Sequence, residues 1–543
     1  MQKPFAITLD VGTSLANLTG SWRTERPEYV DLLPPCNLAC PAGENIQAWL
    51  YLAEEGDYEG AWRKIMEDNP MPGVMGRVCY HPCESECNRA RLDEAVGIHV
   101  IERFLGRMAW EQGWKPDPGA KPSGKKVLVV GAGPSGLSAA YHLTRLGHRV
   151  TIREAGPMAG GMMRFGIPKY RLPRDVLDYE IQRILDMGVT LELDTKVENI
   201  EAAFDKEKFD AVFVAVGAHL AKRIDIPANT AGRILDAVSV LKEMETGGEA
   251  PQLGRRVIVY GGGNTAMDMA RTAKRLGADE AMIVYRRSRK EMPAHDFEAT
   301  EAEDEGVLIH WLRTIKEIDE TTFTVEKMKI DKDGRPQPTG EFETLEADTL
   351  VLALGQNVDT SFMETIPGVN IASDGVIDVD ETLMTGYRGL FAGGDMVPAE
   401  RTVTVAVGHG KKAARNIDAY LRGKRHEPPE KHALANFENL NTWYYTDADK
   451  TMQPTLDLIR RQTTFEEIHG GLDETTALFE ARRCMSCGNC FECDNCYGVC
   501  PDNAVIKLGT GKRFKFNYDF CKGCGLCAAE CPCGAIEMVP ESI

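Results

Sequence analysis

The 543-residue chain has no long apolar run, no excess of basic residues and no cysteine between Cys87 and Cys484. Without a stretch of about 18 apolar residues, the sequence predicts no membrane-spanning helix. The net charge of −19 argues against nucleic acid or an anionic membrane surface as the main partner, and leaves a solvated acidic surface or a basic docking partner. The first residues lack the charged and then apolar pattern of a signal peptide. We therefore expect a cytoplasmic protein whose cysteines bind metal rather than form disulfides.

The cysteines gather at the two ends of the chain, with five between Cys36 and Cys87 and eleven between Cys484 and Cys533. The C-terminal group contains the pattern Cys-x2-Cys-x2-Cys-x3-Cys-Pro twice. The first copy is Cys490, Cys493, Cys496 and Cys500, and the second is Cys521, Cys524, Cys527 and Cys531. This spacing is typical of two [4Fe–4S] clusters, in which the fourth cysteine of each copy binds the other cluster. The sequence therefore predicts a ferredoxin-like α+β domain and one-electron chemistry.

A glycine-rich turn follows a buried apolar strand at residues 125–130 and precedes a helix predicted over 136–147. It reads G-x-G-x-x-G and includes Gly131, Gly133, Pro134, Ser135 and Gly136. Such a turn lets the backbone approach a pyrophosphate at the helix N-terminus, where free N–H groups favour negative charge. Glu154 ends the next strand and is placed to accept from ribose hydroxyls, and Gly161 lies in a loop expected to approach the same ligand. The pattern predicts a Rossmann-type dinucleotide site.

A second unit of this kind starts at Arg255. Its turn reads G-x-G-x-x-A and includes Gly261, Gly263, Asn264, Thr265 and Ala266. The next strand, 281–285, is followed by Arg286 and Arg287, at the place where an acidic residue would otherwise bind the ribose. Arginine side chains there suit a 2′-phosphate, which favours NADP(H) over NAD(H). The alternative is that the two arginines belong to a solvated turn.

The segment 389–395 is a short apolar strand that runs into paired glycines and an acid, and it ends with Gly394 and Asp395. Here the chain resembles the two-dinucleotide-domain flavoprotein reductases, in which a late Gly-Asp motif contacts the flavin. The resemblance implies FAD at the first site, with Asp395 as a contact and a helix beginning near Thr402 that approaches the isoalloxazine ring. The second site should then bind the nicotinamide cofactor that passes hydride to the flavin. An ordinary strand-ending turn is the alternative.

Over residues 31–420 the chain is similar to the small subunit of bacterial glutamate synthase, the large subunit of NADH-dependent ferredoxin:NADP oxidoreductase and the N-terminal half of dihydropyrimidine dehydrogenase. The motifs that carry this resemblance are the two glycine turns, Gly76-Arg77-Val78-Cys79, Cys83-Glu84-x2-Cys87, Tyr170-Arg171-Leu172-Pro173 and Tyr285-Arg286-Arg287. The C-terminal ferredoxin pattern adds a similarity to the sulfite-reductase-associated NAD(P)H oxidoreductases. Members of this family carry FAD, NAD(P)H and iron–sulfur clusters, and they pass electrons between the nicotinamide and a partner protein.

The resemblance also implies two clusters in the N-terminal domain. In the family, one is held by three cysteines and a Glu or Gln, and the matching positions here are Cys40, Cys79, Cys83 and Glu102. The other uses a Cys-x2-Cys pair that normally opens the domain and that this chain lacks at that place. A segment resembling that opening, residues 480–488, stands just before the ferredoxin pattern and contains Cys484 and Cys487. Our hypothesis is that this pair folds back to complete a cluster with Cys36 and Cys87.

Four [4Fe–4S] clusters are then expected, two in the N-terminal domain and two in the ferredoxin domain, and Cys533 is left without a cluster. The alternative is three clusters, with Cys484 and Cys487 unbound. The alternative for Glu102 is that it is not a ligand but an ordinary exposed glutamate of a helix.

The expected fold is a multidomain α/β protein with two Rossmann-type domains. Its predicted parts are an N-terminal arm (1–30), a helical iron–sulfur domain (31–120), a FAD-binding domain in two pieces (121–240 and 351–422), an NAD(P)H-binding domain (241–350), a linker (423–483) and a two-cluster ferredoxin domain (484–543).

We expect the chain to be an NAD(P)H:acceptor oxidoreductase subunit. It would exchange hydride between NAD(P)H and FAD and pass single electrons through its clusters to or from a redox protein, such as ferredoxin, or a larger oxidoreductase complex. No Ser-His-Asp or Cys-His nucleophile set is evident, so no side chain is assigned a catalytic role. His295 and His310 lie in or near the nicotinamide domain and are expected to be structural, with a general acid/base role as the alternative. The alternatives are the small subunit of a glutamate synthase, which the ferredoxin pattern disfavours, and an electron-wiring subunit without nicotinamide binding, which the intact second turn disfavours.

Overall fold

The computed structural model describes residues 18–222, 233–247 and 251–541, so residues 1–17 of the predicted arm lie outside the described ranges. The helices within these ranges are α1 Pro35–Ala39, α2 Ile46–Glu54, α3 Tyr58–Met66, α4 Pro72–Val78, α5 Pro82–Ser85, α6 Ile98–Gln112, α7 Pro134–Arg145, α8 Met162–Phe165, α9 Arg174–Leu185, α10 Ile200–Asp205, α11 Ala237–Glu245, α12 Asn264–Arg275, α13 Asp296–Asp304, α14 Val403–Leu421, α15 Leu458–Thr463, α16 Glu474–Ala481, α17 Asn495–Val499 and α18 Leu526–Ala529. Short 3₁₀ turns lie at Thr19–Trp22, Asn88–Arg91, Arg289–Glu291, Ser361–Met363, Gly394–Met396, Phe437–Asn439 and Thr442–Tyr444. None of the helices in the described parts combines the length and the apolar character that crossing a membrane requires.

The strands in the same ranges are β1 Glu25–Tyr29, β2 Lys126–Val130, β3 Arg149–Arg153, β4 Thr190–Glu192, β5 Ala211–Val214, β6 Leu220–Ala221, β7 Arg233–Asp236, β8 Arg256–Tyr260, β9 Glu280–Tyr285, β10 Leu308–Trp311, β11 Arg313–Asp319, β12 Thr322–Ile330, β13 Pro336–Glu346, β14 Thr349–Leu352, β15 Gln356–Asn357, β16 Leu390–Ala392, β17 Val505–Lys507, β18 Phe514–Phe516 and β19 Ile536–Pro540. They form two five-stranded parallel sheets and several small antiparallel ones.

The first large sheet has the strand order β16-β5-β2-β3-β4, with all neighbours parallel. Both faces of β2 are buried, with Val127 and Val129 in one core and Leu128 and Val130 in another. This explains why the strand reads as a continuous apolar run rather than an alternating one. α7 packs along α14 on one face. The turns that follow β2 and β16 open at the carboxyl edge of the sheet, where ligands bind in doubly wound folds.

The second large sheet has the order β10-β9-β8-β14-β7 and is also parallel throughout. It already includes β7, which lies ahead of the predicted boundary at residue 241. α12 packs on one face of this sheet, and the antiparallel sheet β11-β12-β13 covers the other. Ile315 and Phe323 of the small sheet share a core with Ile258 and Val284 of the large one.

The N-terminal domain is helical, as predicted, and its helices approach closely through glycine. A Cβ atom on Gly76 of α4 would lie 2.5 Å from the backbone nitrogen of Arg103 in α6. A Cβ atom on Gly106 of α6 would lie equally close, 2.5 Å, to the backbone of α4. The tight crossing of α4 and α6 places Cys79, which caps α4, near Glu102 of α6.

The described part of the arm belongs structurally to the cysteine-rich end of the chain. β1 pairs antiparallel with β19, so residues near both termini share one sheet. Tyr29 of β1 stacks on Phe516 of β18 with ring centroids 4.8 Å apart. The described part of the arm is therefore packed on the ferredoxin domain. The domain bounds given above stay predictions.

The predicted linker contains a segment, residues 453–469, that we call the strap because it ties three parts of the chain together. Its contacts are Arg461 with Glu305 at 3.2 Å, His469 with Glu301 at 2.7 Å, Glu467 with Arg77 at 2.7 Å, and the Ile468 amide with the Tyr170 carbonyl at 3.0 Å. The strap therefore joins the second sheet domain, the helical domain and the first sheet domain.

Candidate nucleotide and iron–sulfur sites

The first glycine turn is held by close backbone packing. Gly131 has a φ of +103°, and a Cβ atom there would lie 2.5 Å from the Ala215 carbonyl oxygen. A Cβ atom on Gly136 would lie 2.0 Å from the Gly131 carbonyl oxygen. α7 begins at Pro134, directly after Gly133, so its first N–H groups point out of the turn toward a ligand.

Glu154 and Gly161 both meet this turn. The Glu154 carboxylate accepts hydrogen bonds from the amides of Ala132 and Gly156, each at 2.8 Å. It therefore braces the turn and keeps further acceptor sites for a ribose hydroxyl. Gly161 has a φ of +52°, and a Cβ atom there would lie 2.8 Å from the Cα atom of Gly133. The predicted loop thus does approach the turn, backbone against backbone.

The late Gly-Asp motif lies against the same turn. Gly394 has a φ of +73°, and a Cβ atom there would lie 3.2 Å from the Cβ atom of Ser135. The Ser135 hydroxyl is buried and has no hydrogen-bond partner among the described residues. Burial raises the pKa of Asp395 to about 6, although Arg401 acts against this shift. Thr402 caps α14 by accepting from the Val405 amide at 3.2 Å.

Gly161 and Gly394 surround the first glycine turn and form a cradle with it. The Ser135 hydroxyl in this cradle is the hydrogen-bond donor that has no partner among the described residues. Buried polar atoms are almost always hydrogen-bonded in native proteins. An orphaned hydroxyl at a helix N-terminus is therefore suited to a bound pyrophosphate, and the residues fit the dinucleotide that the sequence predicts here.

The second turn repeats the first in the other large sheet. A Cβ atom on Gly261 would lie 2.2 Å from the Ala353 carbonyl oxygen, which forces glycine at that place. A Cβ atom on Gly263 would meet nothing within 4 Å, because this position faces open space in front of α12. Asn264, Thr265 and Ala266 form the first turn of α12, and Ala266 is fully buried.

Arg286 and Arg287 follow β9 directly, at the carboxyl edge of the second sheet. Arg286 is exposed, and the buried Nε atom of Arg287 has no hydrogen-bond partner in the described parts of the chain. The Tyr285 ring lies between these arginines and the glycine turn, 2.4 Å from where a Cβ atom on Gly262 would be. The arginines therefore stand beside the turn, as the binding of a 2′-phosphate requires.

The structure also places a residue at this turn that the sequence did not indicate. The Asn264 side-chain nitrogen donates to the Tyr80 hydroxyl at 2.7 Å, and Asn264 Oδ1 accepts from the His295 amide at 3.1 Å. The rings of Tyr80 and His295 stack with centroids 3.7 Å apart. His295 thus lies beside the second turn, packed on Tyr80, and its structural role stays a prediction. The only sequence signal for Tyr80 is its position after Cys79.

The first set of predicted iron–sulfur ligands, which we call the carboxylate set, consists of Cys40, Cys79, Cys83 and Glu102. Burial raises the pKa of the Cys40 thiol well above its usual value, and the nearby charges of Glu44, Cys79 and Glu102 contribute. Burial likewise raises the pKa of Cys83, with contributions from Glu84, Cys79 and Cys40. Glu102 is buried rather than exposed, and Asn69 donates to its Oε1 atom at 2.7 Å.

The second set, which we call the bridging set, consists of Cys36, Cys87, Cys484 and Cys487. Burial raises the pKa of Cys36 well above its usual value, and the thiolates of the other three members add to the shift. Four thiols from three distant segments therefore lie together. Arg483 anchors the incoming segment to the N-terminal domain, since its buried side chain pairs with Asp93 at 3.2 Å and its carbonyl accepts from Arg89 at 2.8 Å.

The ferredoxin cysteines divide into two further sets. The inner set is Cys490, Cys493, Cys496 and Cys531, and the outer set is Cys500, Cys521, Cys524 and Cys527. Burial raises the pKa of Cys496 to about 11, together with the Cys490, Cys493 and Cys531 thiolates. Burial also raises the pKa of the Cys521 thiol, and the nearby thiolates of Cys500 and Cys524 add to this shift. The fourth cysteine of each motif thus lies with the other motif. Cys533 is buried with its Sγ atom 3.8 Å from that of Cys531.

Comparison with known families covers most of the chain. The profile of the pyridine nucleotide-disulphide oxidoreductase family matches residues 125–410. The profile of dihydropyrimidine dehydrogenase domain II, 4Fe-4S cluster, matches residues 32–114, and that of the 4Fe-4S binding domain matches residues 514–537.

Three curated proteins illustrate the similarity along the chain. The NADP(+)-dependent formate dehydrogenase subunit beta of Moorella thermoacetica is 38% identical over 506 residues, which cover 83% of this chain and 70% of that protein. The NADPH-Fe(3+) oxidoreductase subunit beta of Geobacter sulfurreducens is 34% identical over 507 residues, with 83% and 75% covered. The glutamate synthase [NADPH] small chain of Azospirillum brasilense is 33% identical over 426 residues, with 73% and 88% covered.

Proposed function

The chain belongs to the family of FAD- and iron–sulfur-dependent pyridine nucleotide oxidoreductases that includes the glutamate synthase small chains, and from this premise we propose that it is the electron-input subunit of a larger oxidoreductase. Family membership brings FAD, NADPH and [4Fe–4S] clusters to the chain. When bound, FAD exchanges hydride with NADPH and single electrons with the clusters. The relatives described above are named as a subunit beta or a small chain, which supports a partner subunit in general terms.

The observation that carries the proposal is the bridging set. Its four thiols come from α1, from the second residue after α5 and from the segment after α16, and together they offer the four thiolate ligands of a [4Fe–4S] cluster. We infer that Cys484 and Cys487 complete this cluster, which gives the chain four clusters in total. Without it, the N-terminal and ferredoxin domains would each hold clusters with none between them.

The carboxylate set lies at the flavin end of this series. Thr404, in the first turn of α14, contacts the Cys79 thiol. A Cβ atom on Gly408 of the same helix would lie 2.1 Å from the carbonyl oxygen of Pro41, the residue after Cys40. The helix that begins beside the predicted isoalloxazine position therefore packs directly on the residues proposed to hold the first cluster.

The bridging set lies between the carboxylate set and the inner ferredoxin set. Cys36 and Cys40 lie at the two ends of α1, and the Cys36 thiolate also acts on Cys83. On the other side, burial raises the pKa of Tyr445, and thiolates of both neighbouring sets, including Cys487 and Cys493, add to the shift. The proposed order is therefore flavin, carboxylate set, bridging set, inner set and outer set.

At the nucleotide end, the residues of the second turn would bind and orient NADPH. The N–H groups at the start of α12 face the pyrophosphate position, and Arg286 and Arg287 offer a positive charge to the 2′-phosphate. These arginines support the choice of NADPH over NADH. A cytoplasmic location is part of this proposal, because cysteines that bind clusters rather than form disulfides suit a reducing compartment.

Anaerobic stopped-flow mixing of the purified chain with NADPH, and separately with NADH, tests the proposal. We expect the flavin absorbance to bleach first, the broad iron–sulfur absorbance to follow, and NADPH to act faster than NADH. Reduction of an artificial dye by NADPH should follow the same preference. No bleaching with either nucleotide would contradict the proposal and favour a wiring subunit. Glutamate formation with a co-purified large subunit would favour the glutamate synthase alternative.

A further inference from the structure

The hairpin formed by β17 and β18 packs against the ferredoxin cysteines, of which Cys493 and Cys524 are exposed and the others are buried or half-buried. Val505, Phe514 and Phe516 point inward and share a core with members of the inner and outer sets. Val505 and Phe516 also line a small cavity together with all four cysteines of the outer set. A protein bound to the outside of this hairpin would therefore be separated from the clusters by one layer of chain.

The outward side of the hairpin has an unusual mixture of apolar and basic side chains. Ile506 is 42% exposed and Leu508 is 47% exposed. Lys515 is exposed and is the cross-strand partner of Ile506, and Lys512 is exposed at the turn. We call these four residues the hairpin face. Single exposed apolar residues are common, but an apolar centre with a charged rim is the pattern of an interface.

The charge of this region is opposite to that of the chain as a whole. Residues 503–518 contain four basic residues and no acidic one, in a protein with a net charge of −19. Three carboxylates from outside the segment also contact it: Lys507 pairs with Asp494, Arg513 pairs with Asp31, and Glu492 accepts from the Gly511 and Arg513 amides at 3.0 and 2.9 Å. The positive charge that remains belongs to Lys512 and Lys515. Lys512 and Lys515 form no ion pair or side-chain hydrogen bond with any residue in the described ranges, so their charges are available to a partner.

We propose that the hairpin face docks the acidic surface of a one-electron carrier protein, which exchanges electrons with the outer or inner set. This rests on the proposed function, because it assigns the electron exit of that same path. An acidic partner would be repelled by most of this chain and attracted to the hairpin, so the charges would orient it as it approaches. Electron-transfer encounters bury little area, below about 1,200 Å², so a face of this size is sufficient.

The proposal is tested by NADPH-driven reduction of two probe proteins by the complete chain, at low and high salt. An acidic bacterial 2[4Fe–4S] ferredoxin serves as the acidic carrier, and cytochrome c serves as the basic one. The K512E/K515E double variant is compared with K332E, which reverses an exposed lysine in the turn between β12 and β13 that also forms no ion pair among the described residues. Reduction by NADPH of a viologen dye whose midpoint potential lies above that of NADPH reports whether the path up to the clusters is intact.

For the wild type we expect ferredoxin reduction to be fast at low salt and slower at high salt, since salt screens exposed charges. The double variant should reduce ferredoxin at least tenfold more slowly at low salt, with unchanged viologen reduction, and K332E should match the wild type. The I506S/L508S variant should also slow ferredoxin but not viologen. Equal rates for the double variant and K332E would overturn the proposal. So would an equally large slowing of cytochrome c reduction in the double variant, or viologen reduction by a wild type that does not reduce ferredoxin. Loss of viologen reduction in the wild type would contradict the proposed function itself.

Discussion

The side-chain nitrogen of Asn69 donates a hydrogen bond to Glu102 Oε1 at 2.7 Å. The same nitrogen donates to Glu44 Oε1 at 3.0 Å, and Asn69 Oδ1 accepts from the Met71 amide at 2.9 Å. The amide is therefore fixed on both sides, and it holds the Glu102 carboxylate with one oxygen left for a metal ligand. The burial of Glu102 and its hydrogen bond with Asn69 argue against the alternative of an ordinary exposed helix glutamate.

We expect E102Q to keep the cluster of the carboxylate set, since an amide oxygen can replace a carboxylate oxygen as ligand. Its midpoint potential should rise because a negative charge is removed next to the cluster. E102A should lose this cluster. Iron analysis and an EPR-monitored redox titration measure both effects, with E44Q as the neighbouring control that should retain the iron. Full iron content and an unchanged potential in E102A would show that Glu102 is not a ligand.

The nucleotide preference depends on the two arginines after β9. We predict that R286A/R287A lowers kcat/KM for NADPH by at least tenfold, corresponding to about 1.4 kcal/mol or more, because a charged contact to the 2′-phosphate is lost. The value for NADH, which has no 2′-phosphate, should change little. R289A is the matched control, since Arg289 is already paired with Asp296 and Glu303. A parallel loss with both nucleotides would mean that the arginines support the fold rather than select the cofactor.

Gly394 should be required for flavin binding rather than for folding alone. G394A introduces a Cβ atom 3.2 Å from Ser135 at a φ of +73°, whereas G188A imposes a similar backbone strain at +99° with nothing within 4 Å. Both should destabilise the protein by about 1–2 kcal/mol. Only G394A should lower the flavin absorbance per purified chain, because it fills the cradle around the first turn. Equal flavin content in the two variants would place the cofactor elsewhere.

The glycine turns and the cysteine spacings could be predicted because each is a local pattern in the sequence. Gly131 and Gly133 act within one strand-turn-helix unit, and the ferredoxin motifs are complete within a dozen residues each. The contact of Tyr80 with Asn264 joins residues 184 positions apart and leaves no periodicity to detect. The same holds for the strap and for the pairing of β1 with β19, since such contacts depend on how the domains pack. The polar composition of residues 423–483 therefore predicts a linker but does not reveal its contacts.

The number of clusters follows from the bridging set. The C484S/C487S variant should contain about twelve irons per chain, whereas the wild type should contain about sixteen, at four per [4Fe–4S] cluster. C533A is the control, and it should keep the wild-type iron content because Cys533 has no assigned cluster. About twelve irons in the wild type would instead mean that Cys484 and Cys487 are unbound.

The most direct test of the account is rapid-freeze EPR of the wild type and of C484S/C487S after anaerobic mixing with NADPH. The account predicts that the wild type shows reduced clusters of the ferredoxin domain soon after the flavin has been reduced. In the variant, the flavin should still be reduced at the wild-type rate, but the ferredoxin clusters should stay oxidised or be reduced far more slowly. Equally fast reduction of the ferredoxin clusters in both proteins would contradict the central claim that the bridging set connects the two ends of the chain.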